Sequence, residues 1–219
     1  TTVRPGDTLY SIAFRYGLDY RKVAAANRIP APYTIYVGQK LVLSEAPLPT
    51  TQALPAPAKK STQPASSGGS SSSAPKSAKP APKPAPVAKK NDAFTGQKVG
   101  AWRWPTTGPV ARGYSGSVHK GIDIGGKRGD PVVAVAAGKV VYAGTGIVGL
   151  GELVIIKHNE IYLSAYAHND RLLVAEGQAV GAGETIARKG SSGTDTVKLH
   201  FEIRKEGKPI DPLRLLPRR

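Results

Sequence analysis

His119-Lys120-Gly121-Ile122-Asp123 sets an imidazole four residues before a carboxylate, and a second imidazole follows in Lys198-Leu199-His200-Phe201-Glu202. Two ring nitrogens and one carboxylate oxygen, with a fourth position left open, form a common ligand set for catalytic zinc. The other two histidines differ in setting. His158 ends an apolar run before a turn and is expected to be structural, whereas His168, in Tyr166-Ala167-His168, sits beside residues that suit metal chemistry. In a strand, positions 198 and 200 share a face, so Lys198 starts beside His200. An ammonium has donors and no acceptor, and cannot take a proton from an attacking water. It also opposes a cation: at ~6 Å and an effective dielectric of ~20, two unit charges repel by about 3 kcal/mol. These residues predict a site that holds zinc weakly.

The elements that must position them are short and β-rich. Val132 to Ala136, Lys139 to Ala143, Glu152 to His158, Ile161 to Ala167 and Leu199 to Arg204 are predicted strands, separated by turns such as Gly144-Thr145-Gly146 and Gly181-Ala182-Gly183. The region from about Trp102 to Pro217 therefore reads as a mainly antiparallel β domain. The first 45 residues read as strand, helix, helix, strand: Thr2 to Arg4 extended, a helix capped by Asp7 or Thr8 and stopped by Gly17, a second helix capped by Asp19, and a strand from Ile35 to Leu43.

Between them the composition changes. From Ala46 to Lys90 there is no acidic and no aromatic residue, and Pro, Ala, Ser and Lys dominate. Such a segment cannot bury enough to offset chain entropy, so residues 46–98 are predicted to be a disordered tether. The formal charge of +16 favours a polyanionic neighbourhood but is spread along the chain, which speaks against a dedicated nucleic-acid face. With no Cys there is no disulfide framework and no thiolate ligand. No apolar run approaches the roughly 20 residues of a spanning helix. The absence of Met and the start at Thr1 suggest removal of an initiator together with an export signal or anchor.

Two resemblances rest on longer stretches. Val3-Arg4-Pro5-Gly6-Asp7-Thr8-Leu9-Tyr10-Ser11-Ile12-Ala13, Ala26-Asn27 and Ile35-Tyr36-Val37-Gly38-Gln39-Lys40-Leu41 resemble a LysM domain. That resemblance implies a βααβ fold that binds peptidoglycan, in a groove formed by Gly6, Asp7, Thr8 and Leu9 on one side and Ile29 and Pro30 on the other. The alternative for Asp7, Thr8 and Leu9 is that they only cap and pack. His119 to Gly125, Gly129 to Ala134, Gly138 to Gly144, Tyr166 to His168 and Leu199 to Glu202 are similar to a LytM (lysostaphin-type) peptidase domain. The zinc ligands of that family would match His119, Asp123 and His200. Its two further catalytic positions, both histidine in active members, match His168 and Lys198.

A LysM domain at 1–45, a linker at 46–98 and a LytM domain at 99–219 together resemble the amidase activators of the Gram-negative envelope. The resemblance implies a non-enzyme that activates an N-acetylmuramoyl-L-alanine amidase in cell division and daughter-cell separation. It would act in the periplasm, with a precursor anchored in the outer membrane. His119, Asp123, His168, Lys198 and His200 would then line a partner groove. Two alternatives belong to other classes: a zinc endopeptidase cutting peptidoglycan cross-links, and a polycationic surface or nucleic-acid binder. No recognition motif supports the nucleic-acid reading.

Overall fold

The structure is a computed structural model and describes residues 1–45, 99–116 and 118–219. The expected tether, residues 46–98, lies outside the described residues. In the N-terminal module, Thr8 caps α1 (Leu9–Tyr16) with a reciprocal Thr8/Ser11 capping box, and Gly17 ends it in the left-handed conformation. Asp19 caps α2 (Tyr20–Ala26) by accepting from the Arg21 amide. The two flanking strands are shorter than predicted. They reduce to one antiparallel bridge, Thr2 to Lys40, supported by the Val3 amide on the Gln39 carbonyl and the Leu41 amide on Thr1. Gly38 turns the chain there and leaves no longer ladder.

Among the described residues, ten strands form the C-terminal module: β1 (Val110–Arg112), β2 (Ile122–Gly125), β3 (Pro131–Val133), β4 (Gly138–Gly144), β5 (Glu152–Lys157), β6 (Tyr162–Leu172), β7 (Ala179–Val180), β8 (Thr185–Lys189), β9 (Lys198–Lys205) and β10 (Lys208–Ile210). Their central order is β1-β2-β9-β6-β5-β4-β7, all antiparallel; β10 pairs with β9, and β8 bridges β3 and β6. The five predicted strands are present, β3 ending earlier and β6 running farther than expected. The strands β1, β2, β7, β8 and β10 were not anticipated, because two to five residues give too little periodicity to register.

Alternation sorts the central strands into two faces. Val154 and Ile156 of β5 join Tyr166, Phe201 and Ile203 in one apolar cluster, while Leu153 and Ile155 join Val141, Leu163, Ala165 and Ala167 in another. Both faces of β5 are therefore covered, as its run Leu153-Val154-Ile155-Ile156 requires. What covers the second face is the N-terminal module, whose Leu9, Ile12, Phe14, Tyr20 and Val23 belong to that same cluster.

The described residues of both modules thus belong to one compact unit. Polar contacts ring the seam. The Thr8 hydroxyl donates to the Val141 carbonyl at 3.2 Å, Tyr20 to Glu160 at 2.8 Å, and Lys208 to the Gly17 carbonyl at 3.2 Å. At the β9–β10 turn, Gly207 (φ +78°) passes so close to the backbone of Leu18 that a Cβ would collide with it. Among the described residues no helix is long and apolar enough to cross a membrane.

Candidate metal centre

Sheet register brings the distant ligands together. Asp123 on β2 lies directly opposite His200 on β9, and His200 lies opposite Ala167, the residue before His168, on β6. His119 reaches the same point from the loop before β2, which is pinched by the Ser115 hydroxyl accepting from the His119 amide. Gly121 permits that approach: a Cβ there would strike the Phe201 carbonyl. As a result His119 Nε2 and His200 Nδ1 both face Asp123 Oδ1, at 3.1 and 2.7 Å. One donor atom from each residue falls within 4.8 Å of the others.

The outer contacts fix which nitrogen faces inward. His119 Nδ1 donates to the Gly121 carbonyl at 2.8 Å, which leaves Nε2 to bind an ion. His200 Nε2 lies 3.2 Å from Glu202 Oε1, which leaves Nδ1. Glu202 is held in turn by Arg204, whose Nε donates to its Oε2 at 2.8 Å. The donor set therefore fits zinc: two imidazoles whose outer nitrogens are hydrogen-bonded and one carboxylate oxygen, with the ion displacing the proton that His200 Nδ1 otherwise shares with Asp123. Burial disfavours a charged His200, but hydrogen bonds from its ring to Asp123 and Glu202 outweigh that and raise it to about 9. Asp123 is likewise penalised by burial, yet His200 and Lys198 hold it well below the ordinary carboxylate range.

Residues 1–44 match the LysM domain and residues 117–212 match peptidase family M23. Over 227 residues the chain is 53% identical to the lipoprotein NlpD/LppB homolog of Pseudomonas aeruginosa, covering 99% of this chain and 76% of that protein. It is 42% identical over 256 residues to the murein hydrolase activator NlpD of Escherichia coli K12, covering 100% and 68%. The chain belongs to the NlpD family. Its fold is similar to the crystal structure of a zinc-containing peptidase from Vibrio cholerae, with a TM-score of 0.51 and 29% identity over 54% of this chain and 41% of that one.

In this NlpD-family chain the position at which the peptidase resemblance implies a further histidine is held by Lys198. The strand period places it beside His200, as predicted, and its ammonium donates to Asp123 Oδ2 at 3.0 Å. The expected opposition between Lys198 and a cation is thereby tempered, because the positive charge is paired with the carboxylate oxygen that faces away from the imidazoles. His168 enters through a local distortion. It sits in β6 with φ +64°, where the ladder to β5 shifts register, and its amide donates to the Leu150 carbonyl. Its Nδ1 donates to the Ser192 carbonyl at 2.8 Å, and its ring centroid lies 6.0 Å from that of His200. Burial lowers its pKa, with a hydrogen bond to Ser192 opposing.

His158 is structural, as expected. It is buried, with Nδ1 on the Ala137 carbonyl, Nε2 2.7 Å from Ser164 Oγ, and its ring against Trp102. In the N-terminal module Asp7 accepts from the Arg4 amide and pairs with Arg15, Thr8 caps α1, and Leu9 is buried. Gly6 and Pro30 are exposed and Ile29 is half-buried. Sequence reasoning passed over Glu202 and Arg204. Their signal was the alternation Lys198, His200, Glu202, Arg204 on one face of β9 against Leu199, Phe201 and Ile203 on the other.

Proposed function

We propose that this chain activates a periplasmic N-acetylmuramoyl-L-alanine amidase during cell division and daughter-cell separation, and that its LysM domain keeps it on peptidoglycan. The Lys198–Asp123 ion pair carries the reading. A second imidazole would offer an acceptor for the proton of an attacking water; an ammonium already donating to a carboxylate offers none. The E. coli relative is named a murein hydrolase activator, and the P. aeruginosa relative a lipoprotein, which supports an envelope location; an outer-membrane anchor on a precursor is part of the same proposal.

His119, Asp123, His168, Lys198 and His200 line the groove that receives a segment of the amidase. Tighter contact with the open than with the closed amidase shifts its population, and about 3 kcal/mol of preference moves 1:99 to near parity. On the LysM domain, exposed Gly6 and Pro30, with Ile29, present the glycan groove; Asp7 and Thr8 support it by holding the start of α1, and Leu9 by packing in the core.

A second reading, zinc endopeptidase, is favoured by the retained ligand set. Zinc there would be held by His119 Nε2, Asp123 Oδ1 and His200 Nδ1, and would polarise a peptide carbonyl and acidify a bound water. The deciding assay incubates the full chain with isolated sacculi, alone and with a cognate amidase. We expect no soluble peptide from the chain alone, stimulation of the amidase, loss of stimulation in Lys198→Glu and its retention in His119→Ala. Release of cross-link peptides by the chain alone, with stimulation intact in Lys198→Glu, would establish the enzyme instead.

A further inference from the structure

The polar face of β9 does not stop at the metal centre. From Lys198 it steps through His200 and Glu202 to Arg204, each two residues on and each on the same face. At the far end Arg204, 2% exposed, lies under the N-terminal module. Its Nη1 donates to the Phe14 carbonyl at 2.6 Å, and its guanidinium carbon stands 3.4 Å over the Phe14 ring. Phe14 is in the last turn of α1, where its carbonyl also accepts from the Gly17 amide at 3.2 Å and the dipole favours a cation.

We propose that the docked LysM domain is a positioning element of the metal centre, fixing the His200 ring through Arg204 and Glu202. An arginine fork is directional: with Nη1 and the ring face anchored on α1, Nε and Nη2 are aimed at Glu202 Oε2, both at 2.8 Å. Glu202, only 3% exposed, is then held so that Oε1 meets His200 Nε2 at 3.2 Å. That contact keeps Nδ1 turned toward Asp123. Without the α1 anchor, Arg204 would lose one hydrogen bond and its stacking partner, and Glu202 would lose its fixed orientation. Outer contacts of this kind typically change metal affinity by about 10–100-fold. By linkage, an ion at His200 favours the docked LysM domain to the same degree as docking favours the ion. The module expected to serve only as a wall anchor is thus coupled to a ligand it does not touch.

The inference rests on reading this centre as a metal site, and the test separates the two. In the full chain, zinc affinity is measured by competition with a chromophoric chelator, and the His200 ring is followed by 15N NMR in metal-free protein. Arg204→Met breaks the relay. Gly207→Asn leaves the relay residues unchanged but places a side chain against the Leu18 backbone, and Asn tolerates the left-handed backbone there. Tyr16→Ala, an exposed position on α1, serves as the control. Both variants should lose about tenfold or more in zinc affinity and shift the His200 nitrogens, while the control does neither. If Arg204→Met does not fold, Gly207→Asn decides alone. A folded relay or wedge variant with unaltered affinity and unaltered His200 shifts overturns the proposal. Absence of zinc binding in the unaltered chain refutes the metal reading, and the His200 shifts then still decide the coupling.

Discussion

Lys198 Nζ sits 3.0 Å from Asp123 Oδ2, while the other oxygen of that carboxylate faces His200 Nδ1 at 2.7 Å. One carboxylate therefore serves a fixed internal cation and a ligand cluster at the same time. Replacing Lys198 by His removes the competing charge and adds an acceptor. We expect Lys198→His to raise zinc content, read by metal analysis after purification without chelator. With zinc bound it should release cross-link peptides from sacculi about 10²-fold or more above the parent, the usual scale of a restored general base.

The buried His158 makes stability depend on pH. Burial pushes it down to about 4, against an unfolded value near 6.5, so the unfolded chain binds the extra proton between those limits. Stability is complete above the unfolded value and is lost as pH falls from about 6.5 toward 4, by up to about 3 kcal/mol. Urea midpoints at pH 7 and 4.5 should show this loss, and His158→Gln should lose less between the two.

Gly121 separates backbone shape from ligand chemistry. Gly121→Ala would drive a methyl group into the Phe201 carbonyl, prising β2 from β9 where Asp123 faces His200. An overpacking cost of about 1–3 kcal/mol is expected. Chemical denaturation should record that cost, together with weaker zinc binding although every ligand remains.

Attachment to the wall should combine glycan recognition with charge. At a formal +16, binding of the full chain to sacculi is expected to weaken as salt rises, since the Debye length falls from about 10 Å at 0.1 M to 3 Å at 1 M. A residual fraction should resist salt and yield to soluble N-acetylglucosamine oligomers. Co-sedimentation with both competitors measures the two parts.

The site was legible in the sequence mainly through its resemblance to the peptidase domain; the spacing alone, His119 and Asp123 four apart and Lys198 and His200 on one strand face, adds weaker support. Helix ends were legible because Thr8, Gly17 and Asp19 act locally. The turn of His168 was not, because its positive φ follows from the β5–β6 register shift and from the Leu150 carbonyl, both set by tertiary pairing. The seam was half visible. Leu153-Val154-Ile155-Ile156 announces a strand buried on both faces, but nothing in that run says which part of the chain covers the second face.

That covered face bears on how the C-terminal module behaves once cut away. A fragment beginning near residue 99 would bare Leu153, Ile155, Leu163, Ala165 and Ala167 on adjoining strands to water. Such a continuous oily sheet surface favours self-association. The N-terminal residues act toward it as an intramolecular chaperone: they keep a sticky plane out of solvent for as long as the chain is whole.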